Sequence, residues 1–145
     1  MASKLQLSTP VDGMDFIWNV SEQVGDNISC QNQPTDVNLV KILIAETIRP
    51  NPPSWVNRSL RIPFRVNGVM DIALAYWIRA FSDRQGSALS SQQAGIISPA
   101  RGASYGRDYW TIVKLNSLLK HVAPNVWQDI PNHPNASAQL RLELL

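Results

Sequence analysis

Cysteine occurs once in the 145 residues, at position 30, so no internal disulfide can staple the chain. Histidine occurs twice, at 121 and 133, and no Cys/His cluster exists. A structural zinc site would have to recruit carboxylates, an unusual donor set, so neither a metal nor a cofactor is expected. Cys30 with His121 is the one cysteine–histidine pair considered for nucleophilic chemistry, and the residues around them do not support it. Charge is scarce as well: 17% of residues, against about 25% in an average protein. The net charge is +2 and no basic run of five occurs, which argues against a nucleic-acid partner. No apolar run reaches about 18 residues, so no membrane span is expected. After Lys4 the apolar positions are interrupted by Gln6, Ser8, Thr9 and Pro10, which does not make a signal peptide. The expectation is a chain that is cytoplasmic at synthesis.

Apolar residues, at 44%, are plentiful enough to offset the entropy of folding, and the length suits one domain, residues 1–145. The nine arginines outnumber the four lysines, which favours specific planar contacts over a solubility coat. Residues 1–34 read as irregular, with a short strand allowed at Phe16–Val20. A helix is predicted from Pro34-Thr35-Asp36, with Thr35 or Asp36 as cap, through Val37, Val40, Ile44 and Ile48 to the stop at Pro50. Residues 50–68 form a connector, with an alternating stretch from Leu60 to Val66 and a turn at Asn67-Gly68. Leu74, Trp77, Ile78 and Phe81 predict a second helix from about Asp71 to Gln85, with Gly86 as its C-terminal cap. A long Ser/Gly/Ala/Gln loop follows over 86–106. The third helix is predicted from Arg107 to Val122, on a stripe of Tyr109, Ile112, Val113 and Leu119. The fold expected is thus mainly α: a three-helix core over 35–122, an irregular N-terminal segment, and a C-terminal extension over 123–145 whose Ala136–Leu145 stretch suits a short helix.

The stretch from Val66-Asn67-Gly68 through Leu74 to Ile78-Arg79-Ala80-Phe81-Ser82 resembles the signature of peptidoglycan-binding-like domains. There a Val-Asp-Gly turn leads into Ala-Ile-x-x-Phe-Gln. Asp36-Val37 through Val40 to Leu43-Ile44 is similar to that family's first helix, and Asn32 and Pro34 to its lead-in. Gly95-Ile96-Ile97-Ser98-Pro99 and Leu115-Asn116 resemble a downstream element of longer versions in phage and secretion-system proteins. The pattern covers about residues 24–120. The departures are Asn67 for Asp, Asp71 for Gly, Leu74 for Thr and Ser82 for Gln. Gly68 would permit a positive φ in the turn. The resemblance implies a small helical fold that binds cell-wall material without catalysis.

A peptidoglycan ligand offers sugar faces, amides and carboxylates, which call for aromatic rings, amides and arginine. The candidates are Trp55, Asn57, Arg58, Asn67, Tyr76, Arg79, Tyr105 and Arg107, in a shallow groove between the helices and the 50–68 connector. Tyr76 and Arg79 are one turn apart and can share a face. Ser98–Arg107, with two glycines and two arginines before a helix start, suits an anion, although no P-loop spacing occurs. Asp71 and Asp83 lie about 18 Å apart along one helix, too far for paired glycosidase carboxylates. The expected function is therefore a non-enzymatic, peptidoglycan-binding-like module delivered to the periplasm or wall by lysis or a secretion machine. A protein-interaction or structural component of a phage tail or contractile secretion system, homo-oligomeric or not, is the second expectation. A cell-wall enzyme with a composite site across subunits is the third.

Overall fold

The computed structural model describes residues 1–48, 65–84, 95–105 and 108–145. Along the chain run β1 (Ser3–Val11), β2 (Met14–Asn19), β3 (Val24–Gly25), α1 (Pro34–Ile48), α2 (Ile72–Arg84), β4 (Ile96–Ile97), β5 (Ser104–Tyr105), β6 (Asp108–Tyr109), α3 (Thr111–Val122), α4 (Pro124–Gln128) and α5 (Ala138–Leu144). A 3-10 turn at Ile130–Asn132 joins the last two helices. Among the described residues β1–β2, β3–β4 and β5–β6 form three two-stranded antiparallel sheets. The fold is mixed α/β, which corrects the expectation of a mainly α, three-helix core.

Most of that correction lies in the first 25 residues, which are a hairpin and a strand, not an irregular segment. Asp12 and Gly13 stand between paired Val11 and Met14, both at positive φ (50° and 77°), as the tight turn that matches strand twist requires. Both faces of the hairpin carry apolar residues: Leu5 pairs with buried Ile17 on one, and Phe16 and buried Trp18 lie on the other, while Leu7, Val11 and Met14 are buried as well. Exposed Pro10 sits where the register shifts between Gln6 and Val11, a place where a missing N–H is tolerated. The turn is tied down by α3: Ser117 Oγ donates to Asp12 Oδ2 (2.6 Å) and Lys120 Nζ to the Asp12 carbonyl (3.2 Å).

Helix α1 forms where the sequence predicts it, but it is buried on nearly every face, Val37 through Ile44 without interruption. A helix surrounded this way must find partners for each polar side chain it carries. Each goes to a different segment. Asp36 does not cap the helix; Oδ1 accepts from Ser21 N–H (2.8 Å), and Oδ2 from Ser21 Oγ (2.8 Å) and Glu22 N–H (3.0 Å). Thr35 is no cap either, and donates instead to Glu143 of α5 (2.8 Å). Asn38 bonds the Asn135 carbonyl and Ser137 N–H. Lys41, wholly buried, donates to the Arg65 carbonyl (2.9 Å), Asn67 Oδ1 (2.9 Å) and Asp71 Oδ2 (2.7 Å). Glu46 meets His133 Nε2 at 2.9 Å. Because His133 Nδ1 accepts from Asn135 N–H, the ring proton sits on Nε2 and points at Glu46.

Asp71 holds both ends of a junction: its other oxygen accepts from Leu74 N–H (2.8 Å) and caps α2. Gly68 does not take a positive φ; its glycine is needed because a Cβ there would lie 2.8 Å from the Pro34 carbonyl oxygen. Residues 108–109 pair as a strand, so α3 starts at Thr111, four residues later than predicted. Tyr109 is accordingly exposed and outside the stripe. The C-terminal helix forms as expected, from Ala138, with Ser137 Oγ capping Leu140 N–H. The 50–64 connector and the Gly86 cap lie outside the described residues.

Asn116, fully buried on α3, seals the inner edge of the hairpin. Its Oδ1 accepts from Trp18 N–H (2.9 Å) and Trp127 Nε1–H (3.0 Å), and its Nδ2 donates to the Trp18 and Ile112 carbonyls. Trp18 Nε1–H donates back to the Trp127 carbonyl (2.7 Å). Phe16 stacks on Trp127 (4.8 Å between centroids), and Lys4 Nζ lies 4.2 Å above the Phe16 ring. Asn116→Ala would leave three of these buried partners unmet, at about 1–3 kcal/mol each. Loss of more than about 3 kcal/mol in urea unfolding is the expected result. Lys41→Met removes a cation whose partner Asp71 is 35% exposed, and should cost less, about 2 kcal/mol. Equal losses for the two variants would show that burial of the partners does not decide the cost.

Candidate functional site

Two short segments and one indole line a cleft among the described residues. Ser21, Glu22 and Gln23 lead into β3; Ser98, Pro99 and Arg101 follow β4; Trp110 precedes α3. The cleft measures about 730 Å³ and is half open to solvent. Val24 pairs with Ile97 and Gly25 with Ile96, so the two segments diverge from the same ladder. Gln23 Nε2 reaches Ser98 Oγ across it, at 3.4 Å.

Neither segment relies on its own sequence for its shape. The first is pinned from behind by Asp36, which takes the Ser21 and Glu22 N–H groups and the Ser21 hydroxyl. The second is pinned by Asn19, whose Nδ2 donates to the Ala100 carbonyl while its Oδ1 accepts from Ala100 N–H, both at 3.0 Å. A carboxamide bonded to the N–H and the C=O of one residue imitates a neighbouring strand. Asn32 does the same to Gly25 next to the cleft, at 2.9 and 3.1 Å. With the Ser21, Glu22 and Ala100 backbone groups engaged, the side chains of Glu22, Gln23, Ser98 and Arg101 are the polar groups of the lining left for a ligand.

The residues singled out from sequence are dispersed. Trp55, Asn57, Arg58 and Arg107 lie outside the described residues, as do residues 50–64 of the 50–68 connector to which the groove is assigned. Tyr105 is in β5, and its side chain is outside the description. Asn67 is committed to structure, since its Oδ1 accepts from Lys41 and from Val69 N–H. Tyr76 and Arg79 are both exposed on α2. The Arg79 guanidinium rests against Gly95, where an added Cβ would lie 3.3 Å from it. None of the described candidates lines the cleft. The Ser98–Arg107 segment was legible as polar and anion-compatible; Glu22 and Gln23 were not, because their partner Ser98 is 75 positions away.

Chemical groups suited to catalysis are poorly placed. Burial pushes the Cys30 thiol up, against the smaller opposing effects of hydrogen bonds from Asn27 and Ser29, so it is protonated at neutral pH. His121 is exposed in the last turn of α3. Of the carboxylates near the cleft, Asp36 is inaccessible behind Ser21 and Glu22, with three donors on its two oxygens. Among the described residues no group of three His, Cys, Asp or Glu could hold a metal ion. No described helix is long and apolar enough to cross a membrane.

Comparison with protein families, characterised proteins and solved structures gives no match. The functional reading therefore rests on the site itself and on the motif resemblance.

Asp36 ties the cleft to the core, which is checkable. Asp36→Ala removes three hydrogen bonds, and a loss of about 2–3 kcal/mol is expected in urea unfolding. The Ser21 and Glu22 amide protons should then exchange at loop-like rates in the folded protein. Unchanged protection at those two amides would contradict the pinning.

Proposed function

We propose that this chain is a non-catalytic binding module for cell-wall material of the peptidoglycan type, delivered by lysis or a secretion machine. The cleft is the observation that carries the reading. Residues bearing an indole, a side-chain amide, a hydroxyl not engaged on Asp36, a guanidinium and a carboxylate line a space of about 730 Å³. Polymers of amino sugars and short peptides present apolar ring faces alongside hydroxyls, amides and carboxylates, and this set matches them group for group. Its size falls in the range of small-ligand sites, about 300–1,000 Å³. The single accessible carboxylate in the cleft, Glu22, favours binding over two-carboxylate hydrolysis. The motif resemblance over residues 24–120 points the same way.

A pull-down on insoluble peptidoglycan tests this. The intact protein should be retained, and Gln23→Ala should release most of it at unchanged thermal stability; Trp110→Ala should also release it, with some loss of stability because the indole packs against the core. No retention of the unaltered protein would sink the reading.

One observation favours the second reading, an assembly component of a phage tail or contractile secretion system. Val69, Ile72 and Tyr76 are apolar and exposed (62%, 74% and 48%), with Ile72 and Tyr76 one turn apart on α2. On that reading the face associates with a second copy. Native mass spectrometry should then show a dimer that Ile72→Glu dissociates, and a monomer at tens of micromolar would reject it.

A further inference from the structure

Opposite charges enter the cleft from its two segments without meeting. Glu22 and Arg101 both line it, and among the described residues neither side chain has a hydrogen-bond or ion-pair partner. Glu22 is engaged only through its backbone N–H, on Asp36. Flexible chains carrying such charges would be drawn together; here the backbones are fixed, one by Asp36 and the other by the Asn19 carboxamide. The same cleft is lined by Gln23 and Ser98, a donor–acceptor pair 3.4 Å apart.

We infer that the cleft takes an amphoteric, peptide-like group, with a free ammonium placed on Glu22 and a free carboxylate on Arg101. Such a ligand replaces water on both charges with charge-assisted hydrogen bonds, and the guanidinium fork suits a carboxylate. A ligand with one charge leaves the opposite wall unmatched, and a neutral sugar makes no use of either. Gln23 and Ser98, on the same lining, can supply a donor and an acceptor to the amides of a short peptide, and Trp110 an apolar surface for its side chains. The inference rests on the wall-binding reading and narrows it: the recognised part of the polymer is its peptide, at a position where both an amine and an acid are free.

The probes are trialanine, N-acetyl-trialanine and trialanine amide, followed by NMR titration of the full chain. Trialanine should shift the resonances of Gln23, Arg101 and the Trp110 indole. Acetylation and amidation should each weaken binding roughly fivefold, the upper range for an exposed ion pair. Glu22→Gln should abolish the sensitivity to acetylation alone, and Arg101→Gln the sensitivity to amidation alone. Among the described residues both side chains lack partners, so both variants should keep the melting temperature of the parent. Equal binding of the three peptides, no binding of any, or variants that change the wrong sensitivity would overturn the inference. Retention on peptidoglycan without trialanine binding refutes the amphoteric site and leaves the wall-binding reading standing. Trialanine binding without retention does the reverse.

Discussion

A helix buried on nearly every side cannot leave a polar side chain unmatched, and α1 carries five within the twelve residues from Thr35 to Glu46. Thr35, Asp36, Asn38, Lys41 and Glu46 each engage a different part of the chain: α5, the segment before β3, the turn before α5, the turn before α2, and His133. An apolar α1 would bury as much surface, but would leave those connectors to find their own shape. Because unmatched buried groups cost more than matched ones contribute, the arrangement selects one placement of each connector. The low charge of the chain acquires a physical meaning here. Buried asparagines take the place of charges: Asn19 and Asn116 each bond the N–H and the C=O of one distant residue, and Asn32 does the same to nearby Gly25. A neutral carboxamide can be buried without the desolvation cost of a charge.

The cleft is a by-product of the same logic. Its segments are connectors, with two-residue strands beneath them, and would be mobile if left alone. Asp36 and Asn19 reach them from the core side and occupy their backbone groups. What faces solvent is then side-chain chemistry on a fixed frame, which is what recognition of a polar ligand requires.

Local patterns were legible in the sequence, and long-range ones were not. The helical period, the proline before Thr35 and the stop after Ile48 locate α1 from residues within it. Thr35 and Asp36 look like caps by position, yet their partners are at 143 and 21–22, and no local signal distinguishes the two uses. The hairpin is a different case. Asp12-Gly13 flanked by alternating apolar residues is a local signal, obscured by Pro10, the shifted register and the break of alternation at buried Ile17. The start of α3 misled because Tyr109 continues the helical stripe by type while pairing as a strand with Ser104. Only the Arg101 side of the candidate site could be read in advance; Glu22 and Gln23 join it through β3–β4 pairing.

Native-state hydrogen exchange measures the central claim most directly. The amide protons of Ser21, Glu22 and Ser137 lie outside the strands and helices, and each is held by a side chain of α1. If buried polar groups of that helix fix the connectors, these protons should exchange only through global unfolding, with the same opening free energy as Leu39 to Leu43 in α1 itself. Exchange at loop-like rates, several kcal/mol below the helix, would show that the connectors move independently and would contradict the account.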